Sequence, residues 1–96
     1  MTNVYAHLDF ETRSLLEIDD VGVWKYSQDT STYPLCLAYS IGDSPPVLWR
    51  MFDPDPTELL EHVRKGGIVK AYNAFFEQAI WQNKCVPLFG WDEIPL

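Results

Sequence analysis

The hexapeptide His7-Leu8-Asp9-Phe10-Glu11-Thr12 decides how this chain is to be read. Upstream of it, Val4-Tyr5-Ala6 is apolar, β-branched and aromatic, the composition of a strand entering a core. Residues i and i+2 of a strand point to the same face, so Asp9 and Glu11 are expected side by side at the end of a buried strand. Two like charges about 6–7 Å apart on a pleat repel unless a cation lies between them. Mg²⁺ takes hard oxygen ligands and is commonly held by one or two carboxylates together with substrate phosphate. A pair of such ions suits cleavage or transfer at phosphate. The competing reading is a strand that runs out into solvent and carries two surface acids.

Length and composition narrow the choice. The chain has 96 residues, room for one small domain. Hydrophobic residues make up 47% and aromatics 15%, enough for a packed core and against disorder. No apolar run approaches the ~18–20 residues that cross a bilayer. The N-terminus lacks the basic and apolar regions of an export signal, so the sequence points to a cytoplasmic protein without a membrane partner. Cys36 and Cys85 lie far apart in apolar contexts and without CxxC spacing, which favours buried thiols over a disulfide or zinc site. The net charge of −7 argues against a basic nucleic-acid clamp. It is compatible with an enzyme whose acids hold cations and whose cations hold phosphate.

Along the chain, Thr12-Arg13-Ser14 is expected to turn away from the first strand. Leu15 to Tyr26 mixes apolar and acidic residues without clean periodicity, with a turn or cap at Asp19-Asp20-Val21-Gly22. Val23, Trp24 and Tyr26 are expected to pin this excursion to the domain, and 27–32 reads as a polar loop. Residues 33–41 predict a long strand, ended by Gly42-Asp43-Ser44-Pro45-Pro46, and 47–52 its hairpin partner. Thr57 is a candidate N-cap for a short amphipathic helix that Gly66-Gly67 ends. A second core-type strand follows at 68–72. A further helix starts at Ala74 and closes near Lys84 or Cys85, and the tail from Pro87 to Leu96 reads as irregular. The order strand, two-stranded hairpin, helix, strand, helix predicts an α/β fold with a mixed sheet and a parallel crossover.

The segment Asn73-Ala74-Phe75-Phe76-Glu77 spans the junction where the second core strand yields to a helix. Ligands in α/β sheets commonly bind at the carboxyl edge of the strands. If the crossover lays this strand beside the first, Glu77 joins Asp9 and Glu11 at one sheet edge. Taken singly, Glu77 is a dipole partner of a helix start and Asn73 a turn-former; taken with Asp-x-Glu, they favour a site.

Leu8-Asp9-Phe10-Glu11-Thr12 resembles the first motif of the DnaQ-like (DEDD) 3′–5′ exonucleases, whose core is Asp-x-Glu-Thr. Ala71-Tyr72-Asn73-Ala74-Phe75-Phe76-Glu77 is similar to their second motif, an Asn followed four residues later by an acid. More narrowly, nearly the whole chain resembles the N-terminal exonuclease domain of phage-type family A DNA polymerases. The segments Val21-Gly22-Val23-Trp24-Lys25-Tyr26, Leu35-Cys36-Leu37-Ala38-Tyr39 and Glu77-Gln78-Ala79-Ile80-Trp81 also fit that pattern. The resemblance implies an RNase H-like sheet over residues 1–96 and removal of nucleotides from a single-stranded DNA 3′ end by two Mg²⁺ or Mn²⁺ ions. It implies a role in DNA replication, in a bacterial host's cytoplasm if the gene is a phage's. By position, Asp9, Glu11 and Glu77 become catalytic metal ligands. Thr12 becomes a contact to the terminal nucleotide, Asn73 a support for substrate or motif geometry, and Phe76 a ring against the substrate or, more simply, in the core.

The chain departs from that family in two places. The second motif's usual Asp is here Glu77, one methylene longer, and Mg²⁺ geometry is strict. The family's third motif, a Tyr or His base followed by a last Asp, would fall after Pro95-Leu96, so the domain is expected to be incomplete on its C-terminal side. His7 shares the face of Asp9 and His62 sits on a charged, solvated helix face; neither replaces the base. Without one, the isolated chain is expected to be weakly active or inactive. The alternative is a non-catalytic fragment or assembly module, completed by a second chain or by the rest of a polymerase. Another RNase H-like enzyme, acting on RNA or on junctions, remains a third reading.

Overall fold

Alternating apolar and polar residues make Tyr5–Arg13 the central strand, β1, in a computed structural model that describes residues 4–94. Ala6, Leu8 and Phe10 point inward and are buried, whereas His7, Asp9 and Glu11 face solvent. Strand β2 (Tyr33–Ile41) pairs antiparallel with β1, and β3 (Val47–Arg50) pairs antiparallel with β2. Strand β4 (Ile68–Lys70) lies parallel to β1 on its other side, giving the order β3-β2-β1-β4. The mixed sheet and parallel crossover expected from the sequence are present, in a small α/β domain.

One face of this sheet carries the core. Leu37, Tyr39 and Trp49 continue the buried surface of β1 across β2 and β3. Helix α3 (Thr57–Arg64) packs Leu59, Leu60 and Val63 into the same cluster. Helix α4 (Ala74–Ile80) contributes Ile80 and runs without a break into a π-helical turn, Trp81–Cys85, and then into α5 (Val86–Phe89). The wider π turn turns Trp81, Lys84 and Cys85 inward together. The Trp81 indole N–H donates to the Asp92 carbonyl at 2.8 Å, and that of Trp91 to the Asp55 carboxylate at 3.1 Å. The helix expected to close near Lys84 or Cys85 thus continues to Phe89, and Pro87–Phe89, expected to be irregular, are helical because the π turn carries the chain on into α5. The two indole bonds fold the rest of the tail back over the core; Pro95 and Leu96 lie outside the described residues.

Several boundaries differ from the sequence reading. Strand β1 does not end at Glu11. It pairs with β2 as far as Arg13↔Tyr33, with a register shift between Glu11 and Thr12, so the two acids sit mid-strand. Thr57 opens α3 rather than capping it, and Pro56 holds the cap position without a side-chain bond. Strands β3 and β4 are each two residues shorter than expected. The stretch read as an aperiodic excursion forms two short helices, α1 (Ile18–Val21) and α2 (Val23–Gln28), with Gly22 at φ +84° between them. Within the expected polar loop, Ser27 and Thr32 are fully buried. Thr32 donates to Ser14, and Ser27 donates to the Trp24 carbonyl while accepting from Asn83.

Candidate functional site

The length of β4 sets the geometry around the carboxylates. Its pairing with β1 ends at His7↔Lys70, where the chain turns away toward α4. The backbone N–H of Phe10, farther along β1, therefore finds no strand partner on that side. It donates instead to Glu77 Oε2 at 3.0 Å, a buried bond between residues 67 apart in sequence. One side chain of α4 takes the place of the missing strand, and this brings Glu77 to the backbone between Asp9 and Glu11.

Glu77 is 6% exposed. Burial pushes its carboxyl up to about 7, and the nearby charges of Asp9 and Glu11 push in the same direction, while the Phe10 N–H opposes them. Among the described residues the only ion pair is Arg64–Asp92, at 2.9 Å, so none of the three acids has a cationic side chain paired with it. The oxygen donors are of the kind a hard divalent cation takes. Their arrangement is looser than a finished ligand set: among the described residues no three His, Cys, Asp or Glu side chains are gathered closely enough to hold one ion. Asp9 and Glu11 share an exposed face, and Glu77 approaches from the strand's edge with one oxygen committed to the backbone.

The remaining site residues divide. The Thr12 hydroxyl lies 2.8 Å from that of Tyr26, just past the register shift in β1. Phe76 is half-buried, packs against the core and meets the Tyr26 ring at 6.4 Å between centroids. Asn73 is exposed and its side chain makes no cap bond; its carbonyl accepts the Glu77 N–H at 3.2 Å. Beside them, Phe75 and Trp24 form an exposed aromatic pair with centroids 6.3 Å apart and planes inclined by 31°. Below Glu77, a cavity of about 300 Å³ opens between β4 and α4, lined by Leu8, Val69, Ala74 and Ile94 among others.

The two histidines part company. His7 stands exposed on the face of Asp9, as the alternation requires. His62 is half-buried rather than free in solvent: its Nε2 lies 2.8 Å from the Ile68 carbonyl, and the ring covers Gly67. Both cysteines are free thiols, Cys85 fully buried and Cys36 half-buried. Burial also drives the Cys85 thiol upward, away from the reactive thiolate. Tyr26 is the residue that sequence reasoning underused. Its place with Val23 and Trp24 in the excursion gave a packing role but no sign of the hydroxyl contact to Thr12, and of the three only Tyr26 is buried. Among the described residues no helix is long and apolar enough to cross a membrane. Compared with known proteins, the chain matches no family model, no curated protein and no solved structure.

Proposed function

We propose that this chain carries the first two carboxylate motifs of a metal-dependent 3′–5′ DNA exonuclease domain built on an RNase H-like sheet. The observation that carries the reading is the Glu77–Phe10 bond. It brings the acid of the second motif to the strand that bears Asp9 and Glu11, which residue spacing alone leaves 66 positions away. A central strand flanked by an antiparallel hairpin and a parallel β4 supports the RNase H-like assignment.

In this reading Asp9, Glu11 and Glu77 would hold Mg²⁺ or Mn²⁺, and two such ions would supply Lewis-acid activation of water and of the scissile phosphate. Thr12 and Asn73 flank the 3′-terminal nucleotide of single-stranded DNA, and Phe76 supports Glu77 from the core. His62 engages the Ile68 carbonyl at the start of β4, where that strand pairs with Tyr5, the other end of β1 from Asp9 and Glu11. Hydrolysis by these 96 residues alone is therefore expected to be slow.

Binding of Mn²⁺ by the purified chain, followed by electron paramagnetic resonance of the free ion, tests the site. Saturable binding lost in Asp9→Ala is the expected result. Absence of binding above neutral pH, where Glu77 is ionised, would remove the metal site. Fast release of nucleotides from labelled single-stranded DNA would instead overturn the expectation of slow hydrolysis.

A non-catalytic assembly module is the second reading. The three-residue edge strand β4, with its own Ile68 and the following Tyr72 exposed and the cavity behind it, favours this reading. Light scattering separates the two: a stable monomer without affinity for Mn²⁺ would exclude self-completion and the metal site together.

A further inference from the structure

We infer that Tyr26 is a positioning residue that locks the strand bearing Asp9 and Glu11 to the helix bearing Glu77. The inference rests on the carboxylate site proposed above. It comes from a closed path of contacts through residues that no sequence motif connects. The Tyr26 hydroxyl lies 2.8 Å from Thr12 Oγ1, one residue after Glu11. The Tyr26 ring meets that of Phe76, one residue before Glu77. Glu77 returns to β1 through the N–H of Phe10 at 3.0 Å, one residue before Glu11. Tyr26 is 8% exposed and its partners Thr12 and Phe76 are half-buried, so both contacts are partly shielded from water, which strengthens a fixed hydrogen bond.

The place where Tyr26 attaches explains why such a tie is needed. Between Glu11 and Thr12 the register of β1 against β2 shifts, which loosens the ladder next to the acids. On the other side, β4 has already left the sheet at Lys70. The segment from Asp9 to Thr12 thus has an irregular partner on one flank and a single side chain on the other. A ring and a hydroxyl from α2 supply the rigidity that neither flank provides, and a metal site needs such support around its ligands. The hydroxyl touches Thr12 and not a carboxylate, so its role is positioning.

Amide hydrogen exchange at Phe10 reads the lock directly. Tyr26→Phe keeps the ring and removes the hydroxyl; Thr12→Val removes the other partner, and Thr12→Ser restores it. The lock predicts that Tyr26→Phe and Thr12→Val each speed exchange of the Phe10 amide about fivefold, the effect of losing roughly one hydrogen bond's net stabilisation. Leu8 and Ala6 amides should be unmoved, the double variant should be no faster than either single one, and Thr12→Ser should match the parent chain. Mn²⁺ affinity should weaken in Tyr26→Phe in parallel. An unchanged Phe10 amide, or a rise shared equally by every core amide, would overturn the inference, the latter by showing a general loss of stability. If the parent chain binds no Mn²⁺, the metal reading fails while the Phe10 amide still decides the lock.

Discussion

Replacing Glu77 by Gln isolates the electrostatic cost of the site, because the amide oxygen can still accept the Phe10 N–H while the charge disappears. The carboxyl is raised from its ordinary 4.5 to about 7, first by burial and then by the charges of Asp9 and Glu11. A folded-state value above the unfolded one means that the folded chain binds more protons between those two values. Stability therefore falls as pH rises through that window and stays low above it. At about 1.4 kcal/mol per tenfold change in proton affinity the full interval corresponds to about 3 kcal/mol. Relaxation around the charge and water entering from the adjoining cavity offset about half of this, so about 1.5 kcal/mol is the expected loss. Urea unfolding followed by circular dichroism, with chelator present, measures this at about pH 5 and pH 8. The parent chain should lose stability between the two, whereas Glu77→Gln should hardly change and should be the more stable protein at the higher pH. A Glu77→Gln chain less stable than the parent at both pH values would refute the reasoning, since it would make the charged carboxylate a net stabiliser.

Other perturbations probe separate parts of the fold. Divalent Mn²⁺ should restore at about pH 8 what Glu77 loses there, and unfolding of Asp9→Ala should be insensitive to the ion. Because Trp49, Trp81 and Trp91 are buried and Trp24 is 44% exposed, quenching of tryptophan fluorescence by an added single-stranded oligonucleotide would report the surface beside Phe75. Such quenching should need Mg²⁺, given the charge of −7, and should vanish in Trp24→Phe. A Cβ on Gly67 would collide with the His62 ring, so Gly67→Ala should displace the ring from the Ile68 carbonyl. The expected loss is about 1 kcal/mol in thermal unfolding, and it should not add to that of His62→Ala. A thiol reagent should modify Cys36 in the native chain and reach Cys85 only in denaturant.

The parts of this fold that the sequence announces are those with strong local signals. Strand β2 runs over Tyr33–Ile41 as read, because a β-rich run is bounded by a polar stretch on one side and Gly42 on the other. The shared face of Asp9 and Glu11 follows from the period of two, and that holds wherever in the strand they lie. What escaped was set by distant partners. Helices α1 and α2 have four and six residues, too short to show a period, and α2 is held through contacts of Trp24 and Tyr26 with Phe75 and Phe76. The fate of His62 depended on the turn at Gly66 and Gly67, which brings the Ile68 carbonyl back to its ring. The approach of Glu77 to β1 follows from the crossover, but its hydrogen bond to the backbone does not. That bond exists because β4 stops at Lys70, and nothing in Ala71-Tyr72 marks a strand end.

The early end of β4 links the fold to the chemistry. A buried backbone N–H left without an acceptor costs about 1–3 kcal/mol, so Phe10 requires one. An ionised Glu77 satisfies it, at the expense of placing a third negative charge near Asp9 and Glu11 in a poorly solvated position. A neutral carboxyl satisfies it too, through its carbonyl oxygen, without the repulsion. Two states of comparable energy are thus available near neutral pH, and they differ by one charge. A bound divalent cation would favour the ionised state and a proton the neutral one, so the two compete for the same carboxylates. Metal affinity should consequently rise with pH through about 7, and Glu77→Gln should remove that dependence. A pH-independent Mn²⁺ affinity in the parent chain would mean that Glu77 serves only the strand edge, leaving Asp9 and Glu11 as the whole of the metal site.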